Sequence, residues 1–192
     1  MNEEKLNIKS TALVIIDLQI GISRMDTKPY PSATVIGNAS LVAKRFRELG
    51  MPVFPVHVAS DQATALHPIS DSTFTMPADP DHDWTEFVPE IDVQERDIVI
   101  TKRQWGAFYG TELDLQLRRR KIETIVLCGV ATTYGVESTA RYAYELGYNQ
   151  VFIEDAMGDL SEESHRVVIQ YVFKRMGRVR STREVIAMIQ PI

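Results

Sequence analysis

A single cysteine, Cys128, excludes an internal disulfide and any metal centre built on several thiolates. Long apolar runs are missing as well, since every hydrophobic stretch breaks well short of the roughly 20 residues a membrane-spanning helix needs. The first ten residues, Met1 to Ser10, are polar and mixed in charge, without the apolar centre of a secretory leader. Positive charge is in deficit: 21 Lys and Arg stand against 26 Asp and Glu, a formal net charge of −5. That balance lacks the basic field on which nucleic-acid binding depends. The expected setting is the cytoplasm, and the expected partner is a small-molecule substrate rather than nucleic acid or membrane.

What remains is an ordinary globular composition. The 192 residues are 44% hydrophobic and 24% charged, enough for one domain spanning 1–192 with a real core. Thr11 to Ile16 (TALVII) is a short β-branched run of the kind buried on both faces in parallel sheets, and it ends at Asp17. Ser32 is placed to cap a helix whose apolar positions Val35, Ala39, Val42, Phe46 and Leu49 follow helical spacing up to Gly50. Met51 to Val58 reads as a second strand, irregular or at an edge because of Pro52 and Pro55.

A third strand, Asp97 to Thr101, ends at Lys102, and Thr111 with Asp114 makes a capping-box-like start for the next helix. Glu123 to Cys128 is the fourth strand, closed by Gly129, and a helix begins near Thr133. The fifth strand, Gln150 to Ile153, ends at Glu154 and Asp155. Ser161 caps a further helix, and Ser181 with Glu184 starts the last one. Such alternation predicts an α/β fold with a parallel sheet covered by helices on both faces. In such sheets ligands sit beyond the carboxyl ends of the strands, which gathers Asp17, His57, Lys102, the Gly129–Gly135 turn and Asp155.

One segment breaks the rhythm. From Ala59 to Arg96 the chain is weakly periodic, proline-containing and acidic, with no Lys or Arg before Arg96. It reads either as a lid or subunit-contact arm, or as a solvated excursion without a part in the chemistry.

Chemistry concentrates in three motifs: DLQ from Asp17, KRQWGAF from Lys102, and GVATTYGVESTAR from Gly129 to Arg141. Together they resemble the isochorismatase-like, or cysteine hydrolase, superfamily. The resemblance implies a three-layer αβα, Rossmann-like fold on a six-stranded parallel sheet. It also implies an Asp–Lys–Cys catalytic set, no obligatory cofactor, a homo-oligomer, and a cis peptide between Val130 and Ala131. The residues Val130, Ala131 and Thr132 then form the turn that receives an oxyanion, and Gln19, Trp105 and Tyr134 are the expected substrate-binding groups. The superfamily's nicotinamidases also bind a metal through an Asp-x-His…His set. Here His57, Asp61 and His67 run in another order, so no metal is expected.

The chain departs from that pattern at one place: Gly135 occupies the position of the cysteine nucleophile. A glycine cannot attack a carbonyl, and Cys128, inside an apolar strand, is expected to be inert core. Glycine at this position is also a feature of isochorismatases, which open a vinyl ether by protonation. The Val-Glu-Ser-Thr-Ala-Arg continuation nevertheless resembles the cysteine-bearing branch. Three readings follow. Asp17 acts as the acid in vinyl-ether-type hydrolysis, or a water activated on the same Asp/Lys frame cleaves an amide or ester. In the third, the pocket binds a small molecule without catalysis. Burial of Asp17 and the charge of Lys102 push its acidity in opposite directions, and the residues alone leave the sum open.

Overall fold

A computed structural model describes residues 5–23, 25–59, 66, 68–72 and 84–189. Six strands run in order: β1 (Thr11–Ile16), β2 (Val53–Val58), β3 (Ile100–Lys102), β4 (Thr124–Val130), β5 (Asn149–Gly158) and β6 (Arg178–Arg180). They pair in the order β3-β2-β1-β4-β5-β6, every pair parallel. Successive strands step outward from β1 to β3, then restart beside β1 with β4 and step the other way. The reversal between β1 and β4 opens the crevice where α/β sheets bind ligands.

The sheet has a helical layer on each face. One holds α2 (Ser32–Glu48) and α7 (Thr182–Met188), and the four-residue turn α1 (Ile20–Ser23) lies just beyond β1. The other holds α3 (Leu113–Arg119), α4 (Glu137–Glu145) and the helical stretch from α5 (Glu162–Val167) through a π-turn to α6 (Lys174–Met176). Alternation along β1 divides its side chains between the two cores. Leu13 and Ile15 pack with Val35, Val42 and Phe46 of α2, whereas Val14 and Ile16 pack with Leu113, Val136 and Phe173. This is the expected three-layer αβα architecture on a six-stranded parallel sheet.

Local details depart from expectation in instructive ways. Although Pro52 precedes it and Pro55 lies within it, β2 is not an edge strand but pairs on both sides. The Pro52 and Val56 carbonyls accept from β1, and the Val53 carbonyl accepts from Ile98 on the other side. By that alternation the nitrogen of Pro55 faces the β3 side, ahead of the first β3 pair at Val56–Ile100, so its missing N–H interrupts no ladder bond.

Pro31, not Ser32, stands at the start of α2, and the Ser32 hydroxyl instead donates to the Met25 carbonyl at 2.6 Å. Thr111 Oγ1 accepts from the Leu113 amide, but Asp114 completes no capping box and instead accepts from the Tyr148 hydroxyl at 2.7 Å. Ser161 and Ser181 cap as expected, Ser181 within a full capping box. β5 runs five residues further than its sequence suggests. Its register jumps from Leu127–Phe152 to Gly129–Met157, so residues around Glu154 and Asp155 bulge out before the strand resumes. Asp155 therefore lies away from Asp17 and accepts from the Thr182 amide and hydroxyl, both at 2.7 Å.

An unforeseen buried ion pair joins α2 to the segment before β3. Arg47 Nη2 lies 2.6 Å from Asp97 Oδ2, with the Arg47 and Asp97 side chains 9% and 1% exposed, and Arg47 also donates to the Ile91 carbonyl. Replacing Asp97 by Ala strands a desolvated guanidinium. A loss of about 3–5 kcal/mol of unfolding free energy is expected in urea titrations, and a loss under about 1 kcal/mol would show the pair to be solvated.

Candidate active site

The site grows from the end of β1. Ile16 is fully buried, and the chain then turns through Asp17, whose φ of 52° lies in the left-handed region that Asp tolerates better than β-branched residues. The Asp17 amide donates to the Val56 carbonyl at 2.9 Å, which fixes the backbone while the side chain points across the crevice. There Lys102, at the end of β3, places Nζ 2.7 Å from Asp17 Oδ2. Both side chains are buried, 2% exposed for Lys102 and 7% for Asp17.

The ammonium is saturated. Besides Asp17 it donates to the Gln104 carbonyl at 3.1 Å and the Trp105 carbonyl at 2.9 Å. Lysine has three N–H donors, so none is left for a substrate anion. Lys102 thus orients Asp17 and ties down the loop after β3. Asp17 Oδ1, in contrast, is buried without a hydrogen-bond partner. Desolvation is the largest influence on this carboxyl and raises its pKa to about 6, against the lowering pull of Lys102, His57 and the Val58 amide. The Val58 N–H itself is directed at Gln19 Oε1, 2.7 Å away. The contest between burial and Lys102 is decided in favour of burial.

Gly135 lies against this carboxyl. A Cβ added there would come 2.9 Å from Ile16 Cγ2, 3.1 Å from Asp17 Oδ2 and 3.4 Å from the Trp105 carbonyl oxygen. The position therefore leaves no open hole: Ile16 and Asp17 close around the bare backbone. Nearby, Gly129 has a φ of 121°, and a Cβ there would meet the Ile16 carbonyl oxygen at 2.0 Å, so only glycine lets β4 approach the end of β1 this closely. The Val130–Ala131 peptide is cis. Beyond it, Thr132–Val136 forms a π-turn leading into α4. Three amides of this turn are already engaged: Thr133 with Asp159 Oδ2 at 2.6 Å, and Tyr134 and Val136 with the Ala131 carbonyl.

The other expected site residues divide. Trp105 and Tyr134 are 62% and 41% exposed and meet edge-to-face at 4.9 Å between ring centroids, an open aromatic wall beside Gly135. Phe108 is core, as expected. Gln19 has no free amide hydrogen, because Nε2 donates to the Val58 and Trp84 carbonyls, both at 3.1 Å. It fastens the segment Trp84–Val88 against the residues after β1, a contact supported by the Gly21–Trp84 and Val88–Leu18 backbone bonds. The Thr132 hydroxyl turns inward to the Gly158 carbonyl and His165.

His57 is tied through Nδ1 to the Thr85 carbonyl and through Nε2 to Thr101 Oγ1, both at 2.8 Å. Its supposed companions Asp61 and His67 lie outside the described residues, as does His82. Among the described residues no group of three or more metal-ligating side chains comes together. Asp159 and His165, which flank the turn from behind, escaped sequence reasoning. Their signal, the resumption of small apolar residues (AMG) after Glu154 and Asp155, was hidden by the bulge in β5.

The Isochorismatase domain model matches residues 11–184, nearly the whole sheet with its helices. The chain belongs to the isochorismatase family. It is 49% identical over 196 residues to the isochorismatase family protein YwoC of Bacillus subtilis (strain 168), covering 99% of this chain and all of YwoC. It is 47% identical over 184 residues to YecD of Escherichia coli O157:H7, covering 95% and 97% of the two chains. An isochorismatase family protein from Burkholderia thailandensis superimposes with a TM-score of 0.91 at 41% identity, over 98% of this chain and 99% of that one. Membership makes this chain a hydrolase.

Two tests address the site's packing. Gly135→Ala is expected to cost about 1–3 kcal/mol of stability by overpacking against Ile16, with a less-than-additive loss when combined with Ile16→Ala. A Gly135→Ala protein as stable as wild type would mean that the crevice is slack. Cys128 is fully buried, and burial pushes its thiol well above the usual range, so native protein should resist iodoacetamide until unfolded. Labelling of native Cys128 at the rate of a free thiol would contradict this packing.

Proposed function

We propose that this isochorismatase-family hydrolase cleaves a small carboxylated or amide-type substrate without a covalent intermediate, Asp17 serving as the acid. Vinyl-ether hydrolysis is the favoured reaction. One observation carries the reading: a buried carboxyl oxygen, Asp17 Oδ1, stands unpartnered while Oδ2, bound by Lys102, lies against Gly135, and desolvation raises the group's pKa to about 6. A carboxyl of that acidity keeps roughly a tenth of its population protonated at pH 7. Its proton, carried on Oδ1, is transferred to the terminal carbon of the enol ether. Water adds to the resulting oxocarbenium carbon and returns a proton to the carboxylate, and the hemiketal collapses to a ketone and an alcohol. No step requires a side chain at position 135.

Three amides of the Thr132–Val136 turn, those of Thr133, Tyr134 and Val136, already donate to Asp159 and Ala131, which leaves fewer donors for the tetrahedral oxyanion of amide or ester cleavage. Lys102, with its three donors occupied, holds Oδ2 so that the proton resides on Oδ1. The Trp105–Tyr134 wall supplies an apolar surface for a planar substrate.

Turnover is to be sought across a panel of vinyl ethers, amides, nitriles and esters. On a hydrolysed vinyl ether, kcat/KM is expected to be flat below pH about 6 and to fall about tenfold per unit above it, because the protonated form is the active one. Asp17→Asn should lower kcat by about 10²–10⁴-fold with far less effect on binding. Lys102→Met should lower kcat and leave KM nearly unchanged, since its donors do not reach the substrate. Turnover that survives Asp17→Asn, or kcat/KM that rises through pH 6, sinks the assignment. A panel without any turnover, with Asp17→Asn changing only ligand affinity, would point to a binding protein.

A further inference from the structure

A second buried polar cluster lies behind the turn that carries Gly135. His165 of α5 is 1% exposed; its Nδ1 lies 2.9 Å from Thr132 Oγ1, and its Nε2 has no hydrogen-bond partner. The protons here can be placed by elimination. Thr132 Oγ1 also lies 3.1 Å from the Gly158 carbonyl oxygen, which only accepts, so the single hydroxyl hydrogen points there. Thr132 must then accept from His165, which fixes the imidazole as the Nδ1–H tautomer with a bare lone pair on Nε2. An imidazolium would add an Nε2–H with no acceptor. Burial accordingly lowers the pKa of His165, against the opposing pull of Asp159 and Glu162. The ring of Tyr30 covers the imidazole edge-to-face at 6.0 Å.

The next residue of the turn is held from the same side. Asp159, buried at the end of β5, accepts from the Thr133 amide at 2.6 Å and from the Leu160 amide at 2.7 Å. Thr132 and Thr133, two and one residues ahead of Tyr134, are thus fastened to β5 and α5 just before the chain reaches Gly135. The π-turn adds no side-chain cap of its own. We propose that His165 is a positioning residue for the Asp17 site, holding the Thr132–Gly135 turn where Gly135 packs against Ile16 and the Asp17 carboxyl. This rests on the reading of Asp17 as the acid. It assigns the unpartnered Nε2 to a ring kept neutral so that Nδ1–H always faces Thr132.

The test compares His165→Leu, Thr132→Val and His165→Asn in the full chain. Asparagine carries an N–H near the Nδ1 position and no counterpart of Nε2. On a substrate that wild type hydrolyses, His165→Leu and Thr132→Val should lower kcat about tenfold or more with KM within about twofold. His165→Asn should recover to within about threefold of wild type. A wild-type kcat in folded His165→Leu overturns the proposal, as does an equal loss in His165→Leu and His165→Asn. A second arm needs no substrate. Nitrogen-15 NMR should show a protonated Nδ1 and bare Nε2 in His165, and the Gly135 amide resonance should move in His165→Leu and return in His165→Asn. An Nε2–H tautomer, or a Gly135 resonance indifferent to these substitutions, also overturns the proposal. If these signatures hold while no panel substrate is turned over, the turn-holding role stands and the acid reading of Asp17 falls.

Discussion

Desolvation of one carboxyl group is the constraint on which this site depends. Asp17 is removed from water by the meeting of β1, β2 and β4, yet only one of its oxygens is paired. Left in solvent beside an ammonium, the group would be a stronger acid than an ordinary aspartate. Buried, with one oxygen unmatched, it becomes a weaker one. Everything around it maintains that imbalance. Lys102 is held by two backbone carbonyls as well as by Asp17, so it cannot swing to compensate Oδ1. Gln19, which might have supplied a donor, is fastened to Val58 and Trp84. The absence of a side chain at Gly135 lets the backbone lie against the carboxyl and keeps bulk water out.

Much of this was legible in the sequence because it follows from periodicity. The apolar run TALVII could only be a strand covered on both faces, and its end put Asp17 at the mouth of the sheet. Lys102 was placed by the same rule at the end of β3, two strands further along. The motif GVATTYGVESTAR, through its resemblance to the cysteine hydrolase pattern and not through periodicity, marked the turn and exposed the departure at Gly135. The pairing of Asp17 with Lys102 at 2.7 Å therefore follows from strand order together with the reach of the lysine side chain across β2.

The rest was hidden for physical reasons. Whether a hydrogen-bonding residue faces substrate or backbone depends on atoms contributed from distant segments. Gln19 and Thr132 looked available because Val58, Trp84, Gly158 and His165 are remote from them in sequence. Strand length in β5 was misjudged because two acidic residues interrupt it, and a bulge carries them outward without ending the ladder. The Arg47–Asp97 pair lies fifty positions apart, beyond any local pattern.

The anchoring of the acidic segment has a consequence for how much its length can vary. Two points of it are pinned beside the crevice, Ala59 by the Lys102 carbonyl and Trp84 by Gly21 and Gln19. Because the entropy of closing a loop grows only logarithmically, doubling the chain between those pins costs about 0.6 kcal/mol. Changes of length between those pins are therefore nearly neutral for folding, and the sheet that pairs Asp17 with Lys102 need not answer to them.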